Sequence, residues 1–145
     1  MSTEHTYEVS VKWDADRKGT MSSPELVTSI EVATPPQFPK GMEGIWSPEH
    51  LFTAAVSSCL MTTFLSIAEN SKLEFTHFDV KSKGLLEQVD GKFMMTKVLL
   101  YPVVTLVNEK DRERAERILQ KSEANCLISN SVKSTVEMQS TILVA

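Results

Sequence analysis

Four residues of this chain have types that could do covalent chemistry together: Cys59, Cys126, Glu49 and Arg17. A thiol attacks only as its thiolate, so a reactive cysteine needs a source of pKa depression. Cys59 lies ten residues after Glu49 within WSPEHLFTAAVSSCLMTTFLSIAEN. That is about three turns into a helix by the ~3.6-residue repeat, beyond the first turn where the helix dipole acts. A cation brought from elsewhere is then expected to hold the charge. Arg112, Arg114 and Arg117 fall on the charged stretch DRERAER and are expected on a solvated face, which leaves Arg17 in the turn DADRKGT. In the functional reading its guanidinium folds over Cys59 and orients a peroxide oxygen through its forked donors, while Glu49 accepts its remaining N–H bonds. Cys126, in EANCLISNSVK, stands where one helix ends and a short one begins. If the two thiols meet, the chemistry is a two-cysteine peroxidase cycle: Cys59 attacks the O–O bond, becomes a sulfenic acid, and is resolved by Cys126 as a disulfide that an external dithiol resets.

Each of these residues also has a plain structural use. Free cysteine is among the residues most often buried as inert packing. Turn arginines are commonly solvated, and an acid in the first turn of a helix favours the dipole. The spacing of 67 positions between the cysteines says nothing about whether they meet, so both readings stay open on the residues alone. His5, His50 and His77 are scattered, and two distant cysteines make no zinc spacing, so neither a metal nor a cofactor is expected.

Composition narrows the classes. A chain of 145 residues with 41% hydrophobic and 23% charged residues is expected to form one domain over residues 1–145. The net charge of −4 and the dispersed lysines argue against nucleic acid as a partner. The start MSTEHTYEVS has no basic-then-apolar character, and the apolar runs look shorter than the ~18 residues a membrane span needs. No membrane association and a cytoplasmic location are therefore the expectation. Two cysteines in a chain of this length do not make a secreted disulfide scaffold.

The elements that must position the four residues follow from periodicity. Alternation in TYEVSVKW puts Tyr7, Val9, Val11 and Trp13 on one face of a strand over Thr6 to Trp13. Extended segments are expected at Gly19 to Ser23 and across LVTSIEVA, followed by the proline-rich and glycine-rich loop TPPQFPKGMEG. Ser47, Pro48 and Glu49 make a strong helix start, with the helix running to about Asn70. Two long strands then flank Asp90-Gly91, a hairpin signal. Asn108 is expected to cap a second helix over EKDRERAERILQKSEA whose core face carries Ala115, Ile118 and Leu119. A short helix is expected near Cys126, and STVEMQSTILVA closes the chain as one strand. The pattern is an α+β fold of antiparallel sheets around a long buried central helix. Because that helix is apolar nearly all round, a partner subunit is expected to help cover it, giving an obligate homodimer.

WSPEHLFTAAVSSCL, ANCLISNSVK and DRKG, in their places along the chain, together resemble the OsmC/Ohr family of osmotically inducible and organic hydroperoxide resistance proteins. The resemblance spans almost the whole chain. It implies an intertwined homodimer with two central helices between sheets, active sites at the subunit interface, and thiol-dependent reduction of organic hydroperoxides without metal or flavin. It further implies that Cys59 is the peroxidatic thiol, Cys126 the resolving thiol, Glu49 the carboxylate partner and Arg17 the guanidinium. Leu127 stands where the family often has proline, His50 replaces a frequent glutamine or glutamate, and KGMEGIW lacks a glycine-rich form, which favours an OsmC-like branch. Met42, Ile45, Trp46 and Met61 are the expected apolar surroundings for a carbon-bearing peroxide. Two alternatives remain at this stage: a hot-dog-like acyl thioesterase that uses Glu49 and neither cysteine, or a non-catalytic dimer that binds an apolar small molecule.

Overall fold

The alternation that starts at Thr6 becomes hydrogen-bonded strand only from Ser10, giving β1 (Ser10–Ala15), followed by β2 (Lys18–Ser22) and β3 (Ile30–Ala33). The computed structural model describes residues 3–145, in two compact units, Met1–Leu51 and Phe52–Ala145. In the first unit the three strands form one antiparallel sheet in the order β1-β2-β3. Asp16, at φ 52°, makes the turn between β1 and β2, and the Trp13 indole N–H donates to the Asp16 carbonyl at 3.0 Å. The loop after β3 folds back onto it: the Ala33 N–H donates to the Trp46 carbonyl at 2.8 Å and the Met42 N–H to the Thr34 carbonyl at 2.9 Å.

The first helix, α1 (Pro48–Asn70), starts as its sequence dictates. Ser47 Oγ accepts the His50 backbone N–H at 3.1 Å and is bonded to His50 Nδ1 at 2.6 Å, while Pro48 occupies the first helical position, where no N–H is needed. The helix ends without glycine: Lys72 takes the left-handed conformation at φ 56°, and the Leu73 N–H returns to the Ala68 carbonyl at 2.9 Å. With a mean hydropathy of 1.7 over 18 residues, α1 is by length and composition apolar enough to cross a membrane, although no unbroken apolar run in it is that long. Its hydroxyl residues interrupt the runs without lowering the mean enough. In this fold the stripe Val56, Leu60, Phe64 and Ala68 is fully buried, as a core helix requires.

The second unit is built on two strands of 15 residues each, β4 (Phe75–Val89) and β5 (Lys92–Leu106), turned by Asp90 and Gly91 with φ of 52° and 78°. Val98, Leu100, Val104 and Leu106 alternate into the core. Val56 and Leu60 cluster with Val98 and Leu100, while Phe64 and Ala68 cluster with Val104, Leu106 and the inner face of the second helix, α2 (Arg112–Ala124). That face is Ala115, Ile118, Leu119 and Ser122, with the expected spacing. Asn108 does not cap it with its side chain; a 3-10 turn, Glu109–Asp111, comes first. Arg112 and Arg114 are not merely solvated. Arg112 Nη1 donates to the Ile142 carbonyl at 2.8 Å and Arg114 Nη1 to the Ser71 carbonyl at 2.6 Å.

The closing strand is two strands, β6 (Thr135–Met138) and β7 (Thr141–Val144), both parallel to β5 rather than antiparallel. The parallel sense follows from the α2 crossover between β5 and β6. The split follows from Pro102: β6 pairs with Lys97 to Leu100 and β7 with Val103 to Leu106, leaving the residue without an N–H in the gap.

Candidate active site

Each unit holds one half of the predicted residue set. In the first, the tight turn fixes Arg17, whose carbonyl accepts the Thr34 N–H at 3.3 Å, and Pro48 and Glu49 lie at the start of α1. Arg17 and Glu49 line the same cavity of about 790 Å³, together with Trp13, Thr34, Pro35 and Phe38. The two charges are thus set on one concave surface with apolar walls. Arg17 also lines a second cavity of about 570 Å³ with Asp16, Lys40 and Met42. Ile45 and Trp46 line neither of these cavities, although both were expected near a substrate. Trp46 is 51% exposed and lies edge-on to His50, with ring centroids 6.2 Å apart.

In the second unit, Cys59 and Cys126 are both buried, both free thiols, and in direct side-chain interaction. Cys59 is carried on the inner face of α1, one residue before Leu60. Met61, the other expected neighbour on this helix, is 38% exposed. Cys126 follows α2 at the start of a turn that runs into the 3-10 segment Ser129–Ser131. The turn is closed by the Asn130 N–H to the Cys126 carbonyl at 3.0 Å and the Ser131 N–H to the Ile128 carbonyl at 2.9 Å. Ile128 packs against the Val56 and Leu60 cluster, so the turn is pressed onto α1 beside Cys59.

This arrangement sets the two thiols apart. Burial pushes the Cys59 thiol up, but a hydrogen bond from Cys126, the backbone N–H groups of Ile128 and Leu127, and the Thr63 hydroxyl at 3.9 Å outweigh it and hold Cys59 below the ordinary cysteine range. Cys126 moves the other way: burial and its interaction with Cys59 push it up, against weaker opposing contacts from the Ser129 side chain and backbone N–H. Of the two thiols, Cys59 is thereby the stronger acid and Cys126 the weaker. The sequence pointed to a cation as the source of thiolate stabilisation. Within the second unit the stabilising contacts are the Cys126 thiol, the Ile128 and Leu127 backbone amides and the Thr63 hydroxyl, and the amides are a signal that residue types do not carry. Thr63, one turn after Cys59, was legible from its spacing and was missed.

Among the described residues, no group of three or more His, Cys, Asp or Glu is arranged to hold a metal ion.

Comparison with known proteins bears on the fold and the family. The Bacillus subtilis protein YmaD is 28% identical over 144 residues, covering 94% of this chain and 92% of YmaD. Among solved structures, an OsmC-like protein of Vibrio cholerae superposes with a TM-score of 0.85 at 26% identity, covering 94% of this chain and 99% of that one. An organic hydroperoxide resistance protein of Elizabethkingia anophelis superposes with a TM-score of 0.78 at 24% identity over the full length of both, which speaks to the fold. The family profile described as OsmC-like protein matches residues 40–141, a span that contains Glu49 and both cysteines. With that match, this chain belongs to the OsmC/Ohr family of OsmC-like proteins.

Proposed function

We propose that this protein is a thiol-dependent peroxidase that reduces organic hydroperoxides through Cys59 and Cys126. The observation that carries the reading is the direct interaction of two buried free thiols whose pKa values are driven in opposite directions. The Cys59 thiolate attacks the outer peroxide oxygen, the O–O bond breaks, and the alkoxide leaves and takes a proton to become the alcohol. Cys59 is then a sulfenic acid, which Cys126 converts to a disulfide with release of water. An external dithiol returns both thiols to the reduced state, itself becoming a disulfide. Family membership supports hydroperoxide resistance as the setting for this chemistry. On the same ground we assign the guanidinium role to Arg17, with Glu49 as its carboxylate partner; their shared cavity supports the pairing. We further propose a homodimer. The support is apolar surface left uncovered: Tyr7 and Val9 ahead of β1, Val11 and Trp13 on β1, and Met61 and Leu65 on α1.

The test is a count of free thiols before and after one equivalent of cumene hydroperoxide. The wild-type chain is expected to lose two thiols as an intramolecular disulfide, Cys59→Ser none, and Cys126→Ser one, stopping at sulfenic acid. A thioesterase using Glu49, or a passive binder of apolar molecules, loses neither thiol quickly. Arg17→Ala is expected to slow peroxide consumption. A rate equal to wild type from about pH 5 to 9, the range over which a cysteine thiolate forms, removes Arg17 from the site.

A further inference from the structure

The turn that carries Cys126 has three polar side chains after it, and two of them are occupied. Asn130 Nδ2 donates to the Ala124 carbonyl at 3.3 Å, and the Ser131 hydroxyl to the Leu127 carbonyl at 2.7 Å. Ser129 differs. Its Oγ is buried and makes no hydrogen bond of ordinary geometry, yet the residue interacts with the Cys126 sulfur through both its side chain and its backbone N–H. A buried hydroxyl without a good acceptor is unfavourable, and a neutral thiol is a poor acceptor where a thiolate is a strong one. The hydroxyl is therefore placed for a state of Cys126 that the reduced, resting pair does not populate.

We propose that Ser129 is a positioning residue for the resolving thiol: its hydroxyl holds the Cys126 sulfur as that sulfur gives up its proton, and so speeds disulfide closure without taking part in peroxide reduction. This rests on the peroxidase reading above. In the step concerned, the Cys126 proton passes to the hydroxyl oxygen of the Cys59 sulfenic acid. The Cys126 sulfur then bonds to the Cys59 sulfur as the S–O bond breaks and water leaves. The oxidising equivalents already reside in the sulfenic acid, so no further oxidant enters. As negative charge builds on Cys126, the weak Ser129 contact becomes a charge-assisted hydrogen bond, stronger in the transition state than in the ground state.

The experiment follows both steps in the full chain after one equivalent of cumene hydroperoxide. Peroxide loss reports the first, and disulfide yield against dimedone-trapped sulfenic acid reports the second. For Ser129→Ala we expect the first step to stay within about twofold of wild type and resolution to slow by about ten- to a hundredfold, the range for loss of a hydrogen bond to a charged group. Sulfinic acid should then accumulate with excess peroxide. Ser129→Thr, which keeps the hydroxyl, is expected to restore resolution. Resolution at the wild-type rate in Ser129→Ala, equal slowing of both steps, or a Ser129→Thr as slow as Ser129→Ala overturns the proposal. If the wild-type chain itself loses no thiol, the peroxidase reading has failed and the role of Ser129 falls with it.

Discussion

Cys59 and Cys126, 67 positions apart in the chain, interact side chain to side chain in the buried interior of the C-terminal unit. The contact exists because Ile128, two residues past Cys126, packs into the cluster formed by Val56 and Leu60 of the helix that carries Cys59. Hydrocarbon packing fixes the approach, and the amides of the turn then meet the sulfur.

Thr63→Val tests a side-chain contact to Cys59 made from within the same helix. The substitution keeps the shape of the side chain and removes the hydroxyl that lies 3.9 Å from the sulfur. The Cys59 pKa is expected to rise and its alkylation by iodoacetamide near pH 7 to slow by about two- to fivefold, with the difference vanishing once the thiol is fully ionised. A pH–rate profile that overlays the wild type would mean that the hydroxyl does not touch the thiolate.

The opposed shifts of the two thiols predict a titration in two steps. Thiolate absorbance should rise in one step below and one above the ordinary cysteine pKa of about 8.5, the two belonging to the pair rather than to either residue alone. The linkage signs differ accordingly. Cys59, depressed in the folded state, contributes stability that is present above about 8.5 and lost as pH falls through its folded pKa. Cys126, raised, contributes stability that is present below about 8.5 and lost as pH rises through its folded pKa. Urea midpoints of the wild type measured against the Cys59→Ser, Cys126→Ser double variant should therefore show a stability gap that rises toward about pH 8.5 and falls above it. A gap that does not change with pH would contradict the opposed shifts.

Phe64→Ala tests the core that holds α1. Phe64 is fully buried, stacked on Phe78 at 4.7 Å between centroids and edge-on to Phe75 at 5.3 Å. Truncation is expected to cost about 3–5 kcal/mol from lost transfer energy and the cavity left behind. Denaturant unfolding of the C-terminal unit gives the number directly, and a loss below about 1 kcal/mol, less than the usual cost of such a truncation, would show that the cluster collapses around the gap.

How far the fold was readable depended on the range of the forces involved. The start of α1 at Ser47-Pro48 and the Asp90-Gly91 hairpin were legible because caps and turns are decided by neighbours along the chain. The alternation of β5 and the 3.6-residue face of α2 were legible because each follows from burial of one side. The division of the last strand was not, since it depends on Pro102 lying opposite the gap between β6 and β7, a pairing that residue order does not state. The tertiary bonds of Arg112 and Arg114 were hidden for a similar reason: their acceptors are carbonyls, which every residue has.

The sequence by itself determined the residues with chemical potential, the helix that bears Cys59 and the family resemblance, because side-chain identity and short-range periodicity are written in the order of residues. Only the tertiary structure decided that the two thiols meet and which of them is the stronger acid. That decision belongs to the hydrogen bond from Cys126, the amides of Ile128 and Leu127 and the hydroxyl of Thr63 around the Cys59 sulfur. Every residue except proline carries the same peptide N–H, so the aim of these groups at a sulfur is set by packing rather than by side-chain identity.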